Sequence, residues 1–285
     1  MTSQLTDLAK MNILSIDLEE WYTYQQYPKG GPGYYLPILQ KYLDRILDGM
    51  DAQQLTGTFF CLGVIAREFP TVIKQIADRG HEIACHSDKH HWITKMTRES
   101  FSEDTRIAID SLEQVCCKKV RAYRAPAFSI TPNNTWAFEV LANCGIEYDS
   151  SVFPASRSFG GFPLQNANAP MIVEHSGIRL KELPIPLCTV AGKQIAYSGG
   201  GYFRLLPYSF IQKQMQASNY NMTYFHLRDF DSEQKQVISL RYFQSYFGVK
   251  WALPKFERMM KEFKFISVEN AAAQIDWNQV KTVQL

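Results

Sequence analysis

Short apolar segments alternate with amphipathic segments through the first half of the chain. Residues 12–16, 57–62 and 82–85 are strand-like runs, whereas residues 35–50 and 64–79 carry apolar side chains at helical spacing. Strand–helix alternation with short connections predicts a parallel sheet, either open or closed into a barrel. In both arrangements, ligands bind at the carboxyl ends of the strands.

The alternation weakens after residue 148. Residues 155–205 are rich in Gly, Pro and Ser, which favours loops with short strand-like pieces. A late strand is predicted at residues 221–225, a helix at residues 253–263 and a last strand at residues 265–267. The second half of the chain is therefore less regular than the first.

Length and composition fit one large globular unit. The chain has 285 residues, of which 46% are hydrophobic and 20% charged, and this balance suits a substantial core. The sequence shows neither an internal repeat nor a long linker. We therefore expect a single domain over residues 11–285, with an insertion or extension around residues 155–220, preceded by a flexible tail at residues 1–10.

Charge, apolar runs and cysteine spacing argue against several classes of protein. The net charge of +2 gives no electrostatic reason to expect a nucleic acid or an anionic membrane as partner. The apolar runs are too short for a transmembrane helix, and the first residues lack the basic and apolar regions of a signal peptide. The six cysteines show no CxxC spacing, and most lie in apolar segments, where reduced thiols are common. These features predict a cytoplasmic protein.

Polar side chains directly follow several of the strand-like runs. They are Asp17, His86, Arg124 and His226. Because the carboxyl ends of parallel strands meet at one edge of a sheet, this shared placement indicates a functional site.

The segment 80–91, with the sequence GHEIACHSDKHH, carries the strongest chemical signal. If the chain turns into a helix at Ser87, the imidazoles of His86 and His90 can converge on one metal ion. The acidic segment 15–20, SIDLEE, ends another apolar run. Two histidines and a carboxylate leave open positions on a divalent metal, which predicts a metallohydrolase. The nitrogen-rich ligands favour zinc, with cobalt, nickel or iron(II) as alternatives, and iron(II) oxygenase chemistry stays open.

These motifs together resemble the polysaccharide deacetylase family, also called the NodB-homology domain or carbohydrate esterase family 4. The resemblance runs in order over residues 11–270. It rests on SIDLEEW, TFFCLG, GHEIACHSDKH, RAPAFS, YDSS and YFH. It implies an α/β fold, a distorted, TIM-barrel-like (β/α) barrel, whose members remove N- or O-acetyl groups from sugars with a divalent metal. ELP and GGGYFRLLPY are similar to a subgroup with an extra C-terminal segment, associated with exopolysaccharide or lipopolysaccharide biosynthesis.

The resemblance implies one general base, one acidic metal ligand and one general acid. The family's first motif usually has adjacent aspartates, whereas here Leu18 follows Asp17. Because alternate side chains of a strand share a face, Asp17 and Glu19 lie on one face, and we assign Asp17 as base and Glu19 as ligand. Glu20 replaces Glu19 if the strand ends at Asp17. The histidine of YFH, His226, is then the general acid.

The same resemblance implies the remaining metal ligands and supporting groups. His86 and His90 complete the metal site. Arg124 orients the base, Asp149 polarises the acid histidine, and the backbone N–H of Ala127 donates to the oxyanion. From the sequence alone, Arg204 in GGGYFR is a further candidate, for contact with an anionic group of the substrate.

These assignments predict hydrolysis of an N-acetyl group on an amino-sugar during polysaccharide, exopolysaccharide or lipopolysaccharide biosynthesis. The expected partner is an N-acetylated sugar or glycan, and the oligomeric state stays open. Two alternatives remain, namely hydrolysis of a non-sugar amide or cyclic imide and glycan binding without turnover.

Overall fold

The structure is a computed structural model that describes residues 10–19, 37–157, 159–233 and 246–285. The expected flexible tail at residues 1–10 lies almost entirely outside the described residues, and Glu20 also lies outside them. Strands and helices alternate through the first half of the described chain, as predicted.

The strands are short. They are β1 (Met11–Ile13), β2 (Ser15–Leu18), β3 (Thr58–Cys61), β4 (Glu82–Cys85), β5 (Ala122–Tyr123), β6 (Tyr148–Asp149), β7 (Met171–His175), β8 (Ile178–Glu182), β9 (Leu187–Val190), β10 (Lys193–Ala196), β11 (Tyr220–Met222), β12 (Phe225–His226) and β13 (Lys281–Gln284). Strands β12, β2, β3, β4, β5, β6, β8, β7 and β13 form one sheet in that order. Neighbouring strands of this sheet are parallel, except for the antiparallel pair β7–β8.

The helices connect the strands or follow them. They are α1 (Pro37–Ala52), α2 (Gly63–Glu68), α3 (Pro70–Asp78), α4 (Arg98–Cys116), α5 (Trp136–Asn143), α6 (Gly200–Leu205), α7 (Tyr208–Ala217), α8 (Val249–Glu262) and α9 (Val268–Gln274), with 3₁₀ turns at Ile93–Lys95, Pro126–Phe128 and Leu227–Phe230. Within the described part of the chain, none of them is both long and apolar enough to cross a bilayer.

The sheet is covered on both faces, because alternate side chains of its strands enter different apolar clusters. On β3, Phe59 and Cys61 pack into the larger cluster with helices α1 to α5, whereas Phe60 packs into a second cluster with Met222 and Tyr148. Each of these residues is at least nine-tenths buried. Burying one such phenylalanine side chain contributes about 1.5–3 kcal/mol to the stability of the fold. The strands whose ends carry the polar residues are therefore held by a well-packed core.

Several local expectations need correction. The capping box of α4 is formed by Thr97 and Ser100, because the Thr97 side chain accepts from the Ser100 N–H and the Ser100 hydroxyl accepts from the Thr97 N–H. The segment SFSE at residues 100–103 also predicts a capping box, but the structure forms the box three residues earlier. The predicted last strand is only an isolated bridge between Ile266 and Ile13, and the chain instead adds β13 beyond it.

Candidate active site

The strand register brings the predicted base and acid to one edge of the sheet. In the parallel pair β12–β2, His226 lies directly opposite Asp17. His86 follows β4 and Arg124 follows β5, so both also lie at the carboxyl edge. The shared placement that the sequence indicated is therefore a spatial cluster.

Glu19, His86 and His90 form the only group of His, Cys, Asp and Glu residues among the described ones that could hold a metal ion. Their ligand atoms all lie within 4.8 Å of one another. Oε2 of Glu19 is 2.7 Å from Nε2 of His90 and 3.5 Å from Nε2 of His86. All three residues are buried. The donor set of two imidazoles and one carboxylate fits a divalent cation such as zinc.

The two histidines converge through a loop and not through a helix. The expected helical turn at Ser87 is wrong, because both Ser87 and His90 have left-handed backbone conformations, with φ of 72° and 60°. The N–H of His90 donates to the Ser87 hydroxyl at 3.0 Å. Left-handed conformations are costly for residues with a side chain and often lie at functional sites. In this protein the two histidines of the HxxxH motif are therefore brought together by a tight loop.

Asp88 anchors this loop from behind. Its carboxylate accepts two hydrogen bonds from Arg67, at 2.7 and 3.1 Å, and its N–H donates to Asp104 at 2.8 Å. The carboxylate also lies against Gly63, where a side chain would collide with it. The loop that presents His86 and His90 is therefore attached to α2 and α4.

The orientation of the imidazole of His86 suits metal binding. Its Nδ1 lies 2.7 Å from the backbone oxygen of Arg124, so Nδ1 carries the hydrogen, and Nε2, which faces Glu19, has a lone pair for a metal ion. Both carboxylate oxygens of Glu19 are buried. Although they lie close to the histidines, neither oxygen is aligned for a hydrogen bond with any described residue. Atoms that meet at short range without donor–acceptor alignment fit ligands of a common cation. Burial raises the pKa of Glu19, but His90 and His226 outweigh it and hold this pKa well below its usual value.

Arg124 contacts the predicted base. Its Nη1 lies 2.7 Å from Oδ1 of Asp17 and donates to the Ser15 hydroxyl at 2.8 Å. Its Nη2 donates to the Ser150 hydroxyl at 3.0 Å. The guanidinium also stacks on Phe60, with its central carbon 4.1 Å from the ring centre. The placement predicted for Arg124, beside the base, agrees with this geometry.

A carboxylate that the sequence interpretation did not consider contacts His226. Oδ2 of Asp229 lies 3.0 Å from Nδ1 of His226 and also accepts the backbone N–H of His226 at 3.0 Å. Nε2 of His226 then faces the site, 3.7 Å from Asp17 and 3.5 Å from Glu19. Burial lowers the pKa of His226, but Glu19 and Asp229 outweigh it and raise this pKa, which favours the protonated form.

Asp149 does not contact His226. It accepts a hydrogen bond from the Ser151 hydroxyl at 2.6 Å, and it lies opposite Glu182 in the β6–β8 register. Burial and Asp149 together raise the pKa of Glu182 well above its usual value, which favours the protonated form of Glu182 beside Asp149. The expectation that Asp149 polarises the acid histidine is therefore corrected, since Asp229 occupies that position.

Arg204 does not line the substrate space. Its side chain is 4% exposed, and its Nε lies 3.3 Å from Oδ1 of Asp229. The expected contact with an anionic substrate is therefore wrong.

Ala127 has a left-handed φ of 54° in the turn after Arg124. Gly161 donates its N–H to the carbonyl of the next residue, Phe128, at 2.8 Å. This turn has the tight geometry that could present a backbone N–H, and the oxyanion role of Ala127 stays a prediction.

Comparison with known families matches two regions of the chain, and each region contains part of the described site. The polysaccharide deacetylase family matches residues 27–148, and a domain of unknown function, DUF3473, matches residues 150–273. The resemblance to the polysaccharide deacetylase family that the sequence motifs indicated is thus confirmed over residues 27–148. His86, His90 and Arg124 lie in the first region, whereas His226 lies in the second.

Curated relatives share short segments with the chain. It is 28% identical over 85 residues to the peptidoglycan-N-acetylmuramic acid deacetylase of Bacillus subtilis, which covers 30% of this chain and 32% of the relative. It is 28% identical over 100 residues to the peptidoglycan-N-acetylglucosamine deacetylase of Bacillus cereus, with 35% and 36% coverage. The chitooligosaccharide deacetylase of Sinorhizobium fredii is 28% identical over 105 residues, with 35% and 46% coverage. The chain thus spans less than half the length of these relatives.

Solved structures show the fold over the whole chain. A crystal structure assigned as a polysaccharide deacetylase from Mycobacterium smegmatis has a TM-score of 0.70 at 18% identity and covers 100% of this chain and 96% of its own. A CE4 family pseudoenzyme from Bacillus anthracis has a TM-score of 0.53 at 13% identity, with 96% and 67% coverage. The distorted (β/α) barrel predicted from the sequence is therefore confirmed. Because a pseudoenzyme shares this fold, the fold alone does not establish turnover.

Proposed function

We propose that the protein is a metal-dependent hydrolase that removes an N-acetyl group from an amino-sugar. The observation that carries this proposal is the convergence of base, metal ligands and acid in one cluster. Nε2 of His226 lies 3.7 Å from Asp17 and 3.5 Å from Glu19, and the ligand atoms of His86 and His90 meet the same Glu19 carboxylate. Such a complete set matches the requirements of amide hydrolysis.

Glu19, His86 and His90 would hold the metal, with zinc favoured by the two nitrogen ligands. When bound, a divalent ion supplies Lewis-acid polarisation of the acetyl carbonyl and lowers the pKa of water. These three side chains are buried and oriented by neighbours, as seen for the Nδ1 of His86 at the carbonyl of Arg124. The ligand loop therefore needs little rearrangement to bind the ion.

The chain's own residues would carry the protons. Asp17, held by Arg124, accepts the proton of the attacking water. The N–H of Ala127 donates to the developing oxyanion. His226 donates its Nε2 proton to the leaving nitrogen, because an amine anion is too poor a leaving group. Asp229 stabilises the imidazolium from the opposite side of the ring at 3.0 Å.

Names of relatives support the substrate class. The matched relatives are named for deacetylation of N-acetylmuramic acid, N-acetylglucosamine in peptidoglycan, and chitooligosaccharide. We therefore assign an N-acetylated amino-sugar of a polysaccharide, exopolysaccharide or lipopolysaccharide intermediate as the substrate. We further place the protein in the cytoplasm, supported by six cysteines that are all free thiols.

Acetate release tests the proposal. Wild type should release acetate from N-acetylglucosamine oligomers or lipid-linked intermediates under anaerobic conditions, which also excludes oxygenase chemistry. Asp17→Asn should bind the same glycans without releasing acetate. If wild type binds them but releases no acetate from any of them, the protein is a glycan-binding relative of the kind that the pseudoenzyme fold match allows. Release from a cyclic imide alone would favour the non-sugar alternative.

A further inference from the structure

A chain of buried charged groups leads from Arg204 through Asp229 to His226. Nε of Arg204 lies 3.3 Å from Oδ1 of Asp229, and Oδ2 of the same carboxylate lies 3.0 Å from Nδ1 of His226. The side chains of Arg204 and Asp229 are each 4% exposed, so water does not compete strongly for this contact.

We propose that Arg204 is a positioning residue for His226, acting by holding the Asp229 carboxylate in place. With Oδ1 held by Arg204, Oδ2 stays on Nδ1 of the imidazole, and Nε2 keeps facing the reacting group. The inference rests on the proposed hydrolysis, in which His226 protonates the leaving nitrogen. It replaces the substrate contact that the sequence predicted for Arg204 in GGGYFR.

The glycines before Arg204 place its helix against the strand that leads to His226. Gly199 pairs with Tyr224 in a parallel bridge, and Gly200 donates its N–H to the Tyr224 carbonyl at 2.9 Å. A Cβ at Gly199 would collide with the Tyr224 backbone, and one at Gly200 would lie 2.8 Å from the Tyr224 ring. Only a chain without side chains at these positions approaches so closely. The approach brings Arg204 within reach of Asp229.

The backbone of Arg204 is fixed from the other side by α8. Nζ of Lys255 donates to the carbonyls of Phe203 and Leu206, each at 2.8 Å, and lies 3.3 Å from the carbonyl of Arg204. A Cβ at Gly248 would lie 2.5 Å from the same Arg204 carbonyl. Lys255 therefore supports the helix without contacting Asp229, which makes it a matched structural control.

Asp229 needs a cation to stay ionised in this position. Burial raises the pKa of Asp229, but Arg204 and His226 outweigh it and hold this pKa below its usual value. A carboxylate left buried without its cation either takes up a proton or moves to another donor. In both cases the contact with Nδ1 of His226 weakens.

Two substrates with different leaving groups test the role. We would compare an N-acetylglucosamine oligomer, whose amine must be protonated, with p-nitrophenyl acetate, whose phenolate departs unaided. Arg204→Met should lower kcat on the amide by about 10- to 100-fold, an order of magnitude taken from the loss of outer partners of metal-ligating histidines. KM and the ester rate should change much less. Arg204→Lys should retain a higher amide rate than Arg204→Met. In a protein that already carries Asp229→Asn, adding Arg204→Met should not lower kcat on the amide any further.

The control variant separates positioning from folding. Lys255→Met should lower thermal stability and reduce the rates on the amide and on the ester by the same factor. The inference is overturned if Arg204→Met lowers amide and ester rates equally, or if Lys255→Met reproduces the amide-selective loss. If Arg204→Met fails to fold, Arg204→Lys is compared in the same assays. The inference would also be overturned if NMR shows a weakened contact between Asp229 and His226 in Arg204→Lys while its rate of amide hydrolysis equals that of wild type.

Failure of the proposed function has a different signature. In that case wild type itself releases no acetate from any amide. Nitrogen NMR of the His226 imidazole then still decides the positioning role, because it reports the Nδ1 hydrogen bond directly. Arg204→Met should weaken that hydrogen bond and Lys255→Met should not. An unchanged Nδ1 signal in Arg204→Met would overturn the inference independently of activity.

Discussion

Nη1 of Arg124 lies 2.7 Å from Oδ1 of Asp17, with both side chains at most 3% exposed. A charge pair this deep is costly to desolvate, and it persists because the guanidinium also donates to Ser15 and Ser150. The arrangement leaves Oδ2 of Asp17 facing His226. Arg124 therefore orients the base and at the same time compensates a buried negative charge.

Removing Arg124 should lower the stability of the folded protein. Arg124→Met leaves the carboxylate of Asp17 buried without its cation, and we expect a loss of about 3–5 kcal/mol in the free energy of unfolding. Urea unfolding measures it. Arg121→Met is the matched control, because Arg121 is 47% exposed and lies 3.5 Å from Glu147, a surface pair worth about 1 kcal/mol or less. Equal losses in the two variants would contradict the role of Arg124.

The two neighbouring acids should separate metal binding from proton transfer. Asp17→Asn should keep the metal and lose most of kcat, because an amide does not accept the proton of the water. Glu19→Ala should lose metal as well, since Glu19 is the carboxylate that meets His86 and His90. Elemental analysis and acetate release measure the two effects. Depletion of metal by Glu20→Ala but not by Glu19→Ala would reverse the assignment of the ligand.

His226 should matter only where the leaving group needs a proton. We expect His226→Ala to slow amide hydrolysis by about 10²–10⁴-fold, the range for a positioned acid, and to leave metal content unchanged. The loss on an activated aryl acetate should be much smaller. Parallel kinetics on both substrates measure the difference. Equal losses would indicate a folding defect and not general-acid catalysis.

The cluster at the strand ends could be predicted from the sequence because the end of each apolar run is a local feature of the sequence. An apolar run that ends in Asp17 and another that ends in His226 place both residues at the carboxyl edge, and the parallel β12–β2 pair then sets them side by side. The face assignment of Glu19 follows from the two-residue period of a strand.

The partner of His226 could not be predicted in the same way. Asp229 lies in a 3₁₀ turn, three residues after His226, and its role depends on an Arg204 that is distant in sequence. The spacing His-x-x-Asp was the available signal, but it is common in turns. The loop at Ser87 was missed because its left-handed φ values depend on the anchoring of Asp88 and not on local propensity.

Gly63 should affect metal affinity although it is not a ligand. A Cβ at Gly63 would collide with the Asp88 carboxylate and lie 2.7 Å from the α carbon of Ala108. Gly63→Ala should therefore displace the ligand loop, lowering both metal affinity and thermal stability. In the control Gly49→Ala, the Cβ meets only the flexible end of Met260, so metal affinity should stay unchanged. Metal titration monitored by calorimetry measures both variants, and wild-type affinity in Gly63→Ala would contradict the coupling.

The buried pair Asp149–Glu182 should give the protein a pH-dependent stability. Burial and Asp149 raise the folded-state pKa of Glu182 well above its unfolded value of about 4.3. Because the folded state then holds a proton that the unfolded state has lost, stability falls as pH rises above about 4.3. Glu182→Gln keeps a neutral group beside Asp149, so it should remove this contribution, which is at most about 1.4 kcal/mol per pH unit. Urea unfolding between pH ~5 and ~8 measures the slope, with the half-exposed Glu147→Gln as control, and parallel stability curves for wild type and Glu182→Gln would show that Glu182 is ionised in the folded protein.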